Sequence, residues 1–200
     1  MKRWLMTLGM AAALAVPAVA APTTWQIDPN HANAQFVARH LGISNVQGEF
    51  THVTGTVVID DQDITKSSVD ATLDVNSIYT RVTMRDNDLK SERFFNAAQF
   101  PSITFKSTKI TKAADGSVKM TGDLTIKGVT KSVTLDVVNL TAPVQAMGGT
   151  RRGVAASTHI NRQDFGVSAM PGGVGDDIAI QLDLEMTLPQ APPPGAPAAR

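Results

Sequence analysis

Four histidines, His31, His40, His52 and His159, are the side chains of this chain best suited to metal or acid–base chemistry. None stands in an H-x-H or H-E-x-x-H pair and no cysteine can complete a ligand set, so a zinc centre would need separate strands to bring them together. Isolated histidines at strand ends, hydrogen-bonded to backbone, are the plainer reading. A serine hydrolase needs a strained, exposed nucleophile of the G-x-S-x-G kind, and that motif is absent. Asp86, Asp88 and Glu92 form a carboxylate cluster. Such a cluster can do acid–base work, but Arg85, Lys90 and Arg93 interleave with it, and it reads better as a solvated helix face. Gly172, Gly173 and Gly175 do not link a strand to a helix, so they form no phosphate cradle; they read as a loop over the end of the fold. Arg151 and Arg152, and Asn161 with Arg162 at a strand end, could receive a polar or anionic headgroup or be ordinary surface charge.

The elements that must hold these residues are strands. Eight stretches alternate apolar and polar residues with period two, the signature of a strand with one dry and one wet face. In VKMTGDLTIKG, Val118, Met120, Leu124 and Ile126 share one face, and Lys119, Thr121, Asp123, Thr125 and Lys127 the other. SVDATLDVNS, KSVTLDVVNL and DIAIQLDLEMTL are as clear; TTWQID and NAQFVARHL read as two further strands and GEFTHVTGTVVID as another, with bends or bulges at Gly48 and Gly55. QAMGGTRRG and QDFGVSAMPGGVGDD read as loops. Between Thr83 and Ala97 the alternation stops and Leu89, Phe94 and Phe95 recur at helical spacing, predicting one or two short helices ended by Pro101 at the latest. The pattern predicts an all-β antiparallel barrel or sandwich of about eight strands. A barrel of that size either fills itself with side chains or holds one small ligand, and the alternation alone allows both.

The ends carry their own signals. Lys2 and Arg3, the apolar run Leu5–Val16 and Ala18-Val19-Ala20 read as a cleavable export signal over residues 1–20, which places the mature protein in the periplasm. No other run is long enough to cross a membrane as a helix. Without Lys2 and Arg3, 16 basic residues face 18 acidic ones, a net charge of −2; that balance gives no field for nucleic acid. With no cysteine, stability must come from burial and hydrogen bonding. Residues 189–200, PQAPPPGAPAAR from Pro189, read as a disordered tail, which leaves one domain over residues 22–188.

SIYTRVTMRDNDLKSERFFNAAQFPSITFKS resembles the signature of the YceI-like family: S-I-x-T, then R-D-x-x-L-K-S, F-F and P-x-I-x-F-x-S. FVARHLGISNVQGEFTHVTGTVVID, GDLTIKGVTKSVTLDV and INRQDFGVS fit the same family in the same order, over about Trp25–Leu188; Asp88 stands where the family often has His. The resemblance implies an extended, lipocalin-like barrel, exported to the periplasm, that encloses a polyisoprenoid, a quinone-like or prenyl-phosphate lipid, or a fatty amide, in some members in connection with alkaline or osmotic stress. It implies no catalytic residue, no metal and no cofactor beyond the bound lipid.

On that reading the apolar lining comes from Phe36, Leu73, Val75, Phe105, Leu124, Ile126, Leu135, Ile180 and Leu182, with Leu89 and Phe94 capping it, and the polar rim from His40, Arg85, Asn161 and Arg162. The alternatives are a lipid-acting enzyme using His40 or His159 with a nearby acid, and a solid-cored interaction module. An edge strand or the barrel mouth could also pair two copies into a homodimer.

Overall fold

A computed structural model describes residues 21–189. The export signal expected at 1–20, and the expected tail beyond Pro189, lie outside the described residues. The strands are β1 (Thr23–His40), β2 (Ser44–Phe50), β3 (Val53–Ile59), β4 (Ser68–Asp74), β5 (Ile78–Tyr79), β6 (Ser102–Lys112), β7 (Val118–Ile126), β8 (Val129–Leu140), β9 (Val144–Ala146), β10 (Gly149–Asn161) and β11 (Val174–Thr187), with one helix, α1 (Thr83–Lys90). All pairings are antiparallel. The ring runs β1, β3, β4, β6, β7, β8, β10, β11 and returns to β1. It is a closed eight-stranded barrel, which leaves the ring itself no edge.

The two segments expected as separate first strands are one strand. Along β1 the register with β11 passes from Ile27↔Met186 to Ala32↔Leu184, so β1 carries three extra residues. An odd insertion turns every later side chain to the opposite face. Trp25 and Ile27 are therefore buried before the bulge, and Ala32 and Ala34 after it. Pro29 sits in the bulge, where no ladder hydrogen bond is asked of it. The returning arm is broken at Thr51–His52: β2 pairs with Ala34–His40 and β3 with Thr23–Gln26.

Two expected loops are shorter than the sequence suggested. Gln145–Gly153 contains the β9–β10 hairpin, turned by Met147 and Gly148 at φ 51 and 77. Consecutive left-handed residues make the tight turn that suits a twisted hairpin, as Lys127 and Gly128 do between β7 and β8. In the last Gly-rich stretch, Arg162–Phe165 form a 3-10 turn and β11 already begins at Val174, so Gly175 is a strand residue. Of the two glycines expected to bend a strand, Gly55 has φ +152, and a Cβ there would stand 2.3 Å from the Asp70 carbonyl oxygen; Gly48 instead lies beneath the Phe36 ring, where a Cβ would stand 2.3 Å from Cζ.

The outer face is wetted as the alternation required. Thr54, Thr72, Thr104, Thr125 and Thr130 stand in register across five neighbouring strands, and the Thr125 and Thr130 hydroxyls are 2.8 Å apart. Trp25, Ile27, Ile59 and Met186, each at most 4 % exposed, belong to one core cluster at the end of the barrel where β1 begins and β11 finishes. No helix among the described residues is long and apolar enough to cross a membrane.

Candidate ligand cavity

The inward side chains do not meet in the middle. They enclose a cavity of about 260 Å³, against the roughly 150 Å³ of an apolar cavity that holds benzene. Its wall runs along β11 from Val174 to Met186. At about 3.3 Å per residue and the usual barrel tilt, that is roughly 30 Å along the barrel axis. Polar wall residues are few: Gln35, Ser67, Thr158 and Arg162.

Phe36, Leu73, Leu89, Phe94, Phe105, Leu124, Ile126, Leu135, Ile180 and Leu182 all stand on this wall. Val75 does not. It lies in the 3-10 turn Val75–Ser77 and is 1 % exposed, a core residue behind the wall. Phe95, Phe165 and Val167 also line the cavity, and period-two reading passed over them because they sit in turns rather than strands. Phe36, Phe50 and Phe95 form an aromatic chain, with centroids 5.9 and 5.8 Å apart, that joins the barrel wall to the segment after α1.

The polar residues expected at the rim serve the fold. Arg162 is 5 % exposed. Its guanidinium donates to the carbonyls of Gly175 (3.1 Å), Val167 (2.7 Å), Ala169 (2.8 Å) and Val174 (2.9 Å) and reaches the Asp176 carboxylate at 3.0 Å. Four of its N–H donors are thereby spent on backbone carbonyls and its charge is paired with Asp176. Asn161 accepts from the Gln163 N–H at 2.9 Å, capping the 3-10 turn. Arg85 donates to the Thr80 hydroxyl and carbonyl (2.8 and 2.7 Å). Asp86 is buried rather than solvated and accepts from the Thr80 N–H at 2.8 Å; Asp88 pairs with Arg93 at 2.9 Å as expected of a helix face. His40 is half-buried at the end of β1 and does not line the cavity.

The other histidines are dispersed. His159 is on the outer face of β10, 3.0 Å from Asp177. His31 lies in the β1 bulge, 3.0 Å from Asp28, and Arg151 joins Asp28 (3.0 Å) to Glu185. Asp28, His31 and Glu185 converge closely enough to offer metal ligands, but the Arg151 guanidinium already stands between the two carboxylates. The His31 ring, the Asn30 N–H and Arg151 hold the Asp28 carboxyl down to about 2 from its ordinary 3.8, while Glu185 and then Asp28 raise Arg151. A carboxyl depressed in the fold stabilises the native state above its unfolded pKa and loses that contribution as pH falls through the folded value. The bulge should therefore contribute full stability above about pH 4 and lose it between about pH 4 and pH 2. In urea titrations over that window, Asp28→Asn should be less stable than wild type at pH 5 and should converge with it by pH 2. Parallel curves across the window would show that Asp28 is not the group responsible.

Residues 25–186 match the family model of the YceI-like domain. The chain belongs to the YceI-like family. It is 32 % identical to a UPF0312 protein of Vibrio cholerae over 187 residues, covering 92 % of this chain and 98 % of that one. Its fold is similar to that of a Campylobacter jejuni YceI protein (31 % identity, TM-score 0.67, 76 % of this chain and 90 % of that one). It is also similar in fold to Burkholderia cenocepacia BcnA (24 % identity, TM-score 0.70, 80 % and 98 %) and to a polyisoprenoid-binding domain from Saccharophagus degradans (16 % identity, TM-score 0.60, 82 % and 98 %). YceI-like membership accounts for the order of elements around the cavity: the R-D-x-x-L-K-S stretch is α1, F-F supplies Phe94 and Phe95 to the wall, and P-x-I-x-F-x-S begins β6.

Proposed function

We propose that this YceI-like barrel encloses one long apolar chain, an isoprenoid lipid such as a prenyl quinone, and holds it in the periplasm without changing it chemically. The observation that carries this reading is the almost wholly apolar cavity along the barrel axis. Each buried methylene is worth about 0.8 kcal/mol. Roughly ten of them reach the −8 kcal/mol of micromolar binding before the cost of ordering a flexible chain is subtracted. The shared fold of a domain described as polyisoprenoid-binding agrees with this choice of cargo. The export signal read at residues 1–20 supports the compartment. A binding role also fits the histidines, since His159 with its acid faces away from the cavity.

Protein purified from its own periplasm should release one isoprenoid lipid per barrel on solvent extraction, read by mass spectrometry. The emptied protein should take up a prenyl quinone and return it unmodified after long incubation. Lipid-free protein that also refuses the quinone would end the proposal; a chemically altered quinone would turn it towards an enzyme.

A further inference from the structure

We infer that Gly48 sets the bore of the cavity, and with it the girth of the tail that the barrel accepts, by giving the Phe36 ring a seat against the wall. This rests on the lipid-holding reading above and adds which residue selects the shape of the cargo. About 260 Å³ drawn out over roughly 30 Å is a narrow bore, so the position of one ring decides what fits.

Phe36 and Gly48 stand opposite each other in register across β1 and β2, and the ring lies over the glycine. A Cβ at residue 48 would stand 2.3 Å from Cζ and 2.7 Å from Cε1 of Phe36. Gly48 has no positive φ, so its backbone does not call for glycine. A glycine inside a strand weakens it, and the ring that covers this one offsets the loss. Phe36 is a wall residue, yet its ring reaches sideways towards β2. The arrangement recurs between β6 and β7. Phe105, also on the wall, reaches over Gly122, where a Cβ would stand 2.5 Å from its Cζ, and Gly122 has no positive φ either. Phe36 packs against one core cluster and Phe105 belongs to the other, so the device acts at two places along the cavity.

A side chain at residue 48 would drive the Phe36 ring inward. The same Cβ would stand 2.8 Å from Cγ2 of Thr80, and Thr80 is held in place. It is 1 % exposed, its N–H donates to Asp86 at 2.8 Å, and its hydroxyl accepts from Arg85 at 2.8 Å. Ile180 pairs with Phe36 on its other flank, and the Phe50 ring stands 5.9 Å away. The cavity is the space left to a displaced ring. A ring there narrows the bore, and each tail is penalised according to its girth. An isoprenoid chain carries a methyl branch on every repeat and a straight alkyl chain carries none, so Gly48 favours the branched class. At Gly122 a Cβ would also stand 2.5 Å from the Lys106 carbonyl oxygen, so Gly48 gives the cleaner test.

The test uses the mature full-length protein, emptied of lipid, with a prenyl quinone and the same quinone bearing an unbranched alkyl tail of equal length. Wild type should bind the prenyl quinone at least as tightly as its straight-tailed counterpart. Gly48→Ala should shift that preference towards the straight tail at least about tenfold. The double variant Gly48→Ala, Phe36→Leu should restore it, because the displaced ring is gone. A glycine needed only for folding would weaken both tails alike. Gly48→Ala that folds and keeps the wild-type preference overturns the proposal, as does a double variant that fails to recover it. Should Gly48→Ala not fold, Phe36→Ala decides: without the ring the bore widens, and a sterol that wild type refuses should bind. A sterol still refused, or already bound by wild type, overturns the proposal. Should wild type take up neither quinone, the cargo reading fails. A crystal structure of Gly48→Ala then decides the bore by whether the Phe36 ring has moved into the cavity or still lies against the wall.

Discussion

Leu182→Asp should yield a barrel that purifies without lipid and takes up no prenyl quinone. Leu182 stands midway along β11, paired with Ala34 on one side and Ala156 on the other, and its side chain is on the cavity wall. Among the described residues the wall has one basic side chain, Arg162, and it is committed to five partners of its own. An unpaired carboxylate in such a place costs several kcal/mol, so the group stays protonated well above its ordinary pKa and still presents a polar surface to the cargo. Lipid occupancy on extraction should fall at least about tenfold, and stability should drop by about 3 kcal/mol. Because a destabilised barrel could lose lipid simply by opening, Ala38→Phe is the companion variant. It adds an apolar ring to the cavity wall, introduces no charge, and should fold while narrowing the cavity. If both variants fold and keep normal amounts of lipid, the cavity is not where the lipid sits.

The second large effect is expected at Arg162. Replacing it with Leu removes the donors of four backbone carbonyls, at Val167, Ala169, Val174 and Gly175, and leaves Asp176 without its cation. Breaking a buried charged network from one side costs about 3–5 kcal/mol, chiefly through the partners left unpaired. Arg162→Lys should recover little, since an ammonium has three donors on a flexible stem where the guanidinium offers five in a fixed fork. The urea midpoint should fall for both variants, and amide exchange at Gly173 and Val174, whose N–H groups bond to Met170, should accelerate most. Unchanged stability together with unchanged exchange would show that the loop is held by something other than Arg162.

The course of the chain was legible where alternation is clean and the strand unbroken. In β4, β7, β8 and β11 the inward residues, among them Leu73, Leu124, Leu135 and Ile180, stand on the cavity wall. Reading failed where the backbone leaves the period. The three-residue bulge in β1 turned one strand into two apparent ones and exchanged its faces. The Met147–Gly148 turn hid a hairpin inside an apparent loop. Val75 continued the alternation on paper, but the chain had already turned into a 3-10 helix. The polar residues were harder still. Asp86 looked like surface charge and Arg162 like a rim contact for a headgroup, and both are buried with hydrogen bonds to backbone groups of other turns and loops, which no side-chain pattern announces.

Strand-forming alternation, the order of the family motifs and the apolar character of one face belong to the amino-acid sequence itself, because each is set by neighbours two to four residues apart. Whether the apolar faces would meet or stand clear of one another belongs to the closed barrel alone. It depends on eight strands closing into a ring of fixed girth, on how many side chains reach inward, and on a buried cluster of Trp25, Ile27, Ile59 and Met186, drawn from three different strands. Interior volume is a sum over the whole ring, so the hollow came into being only when the last strand paired with the first.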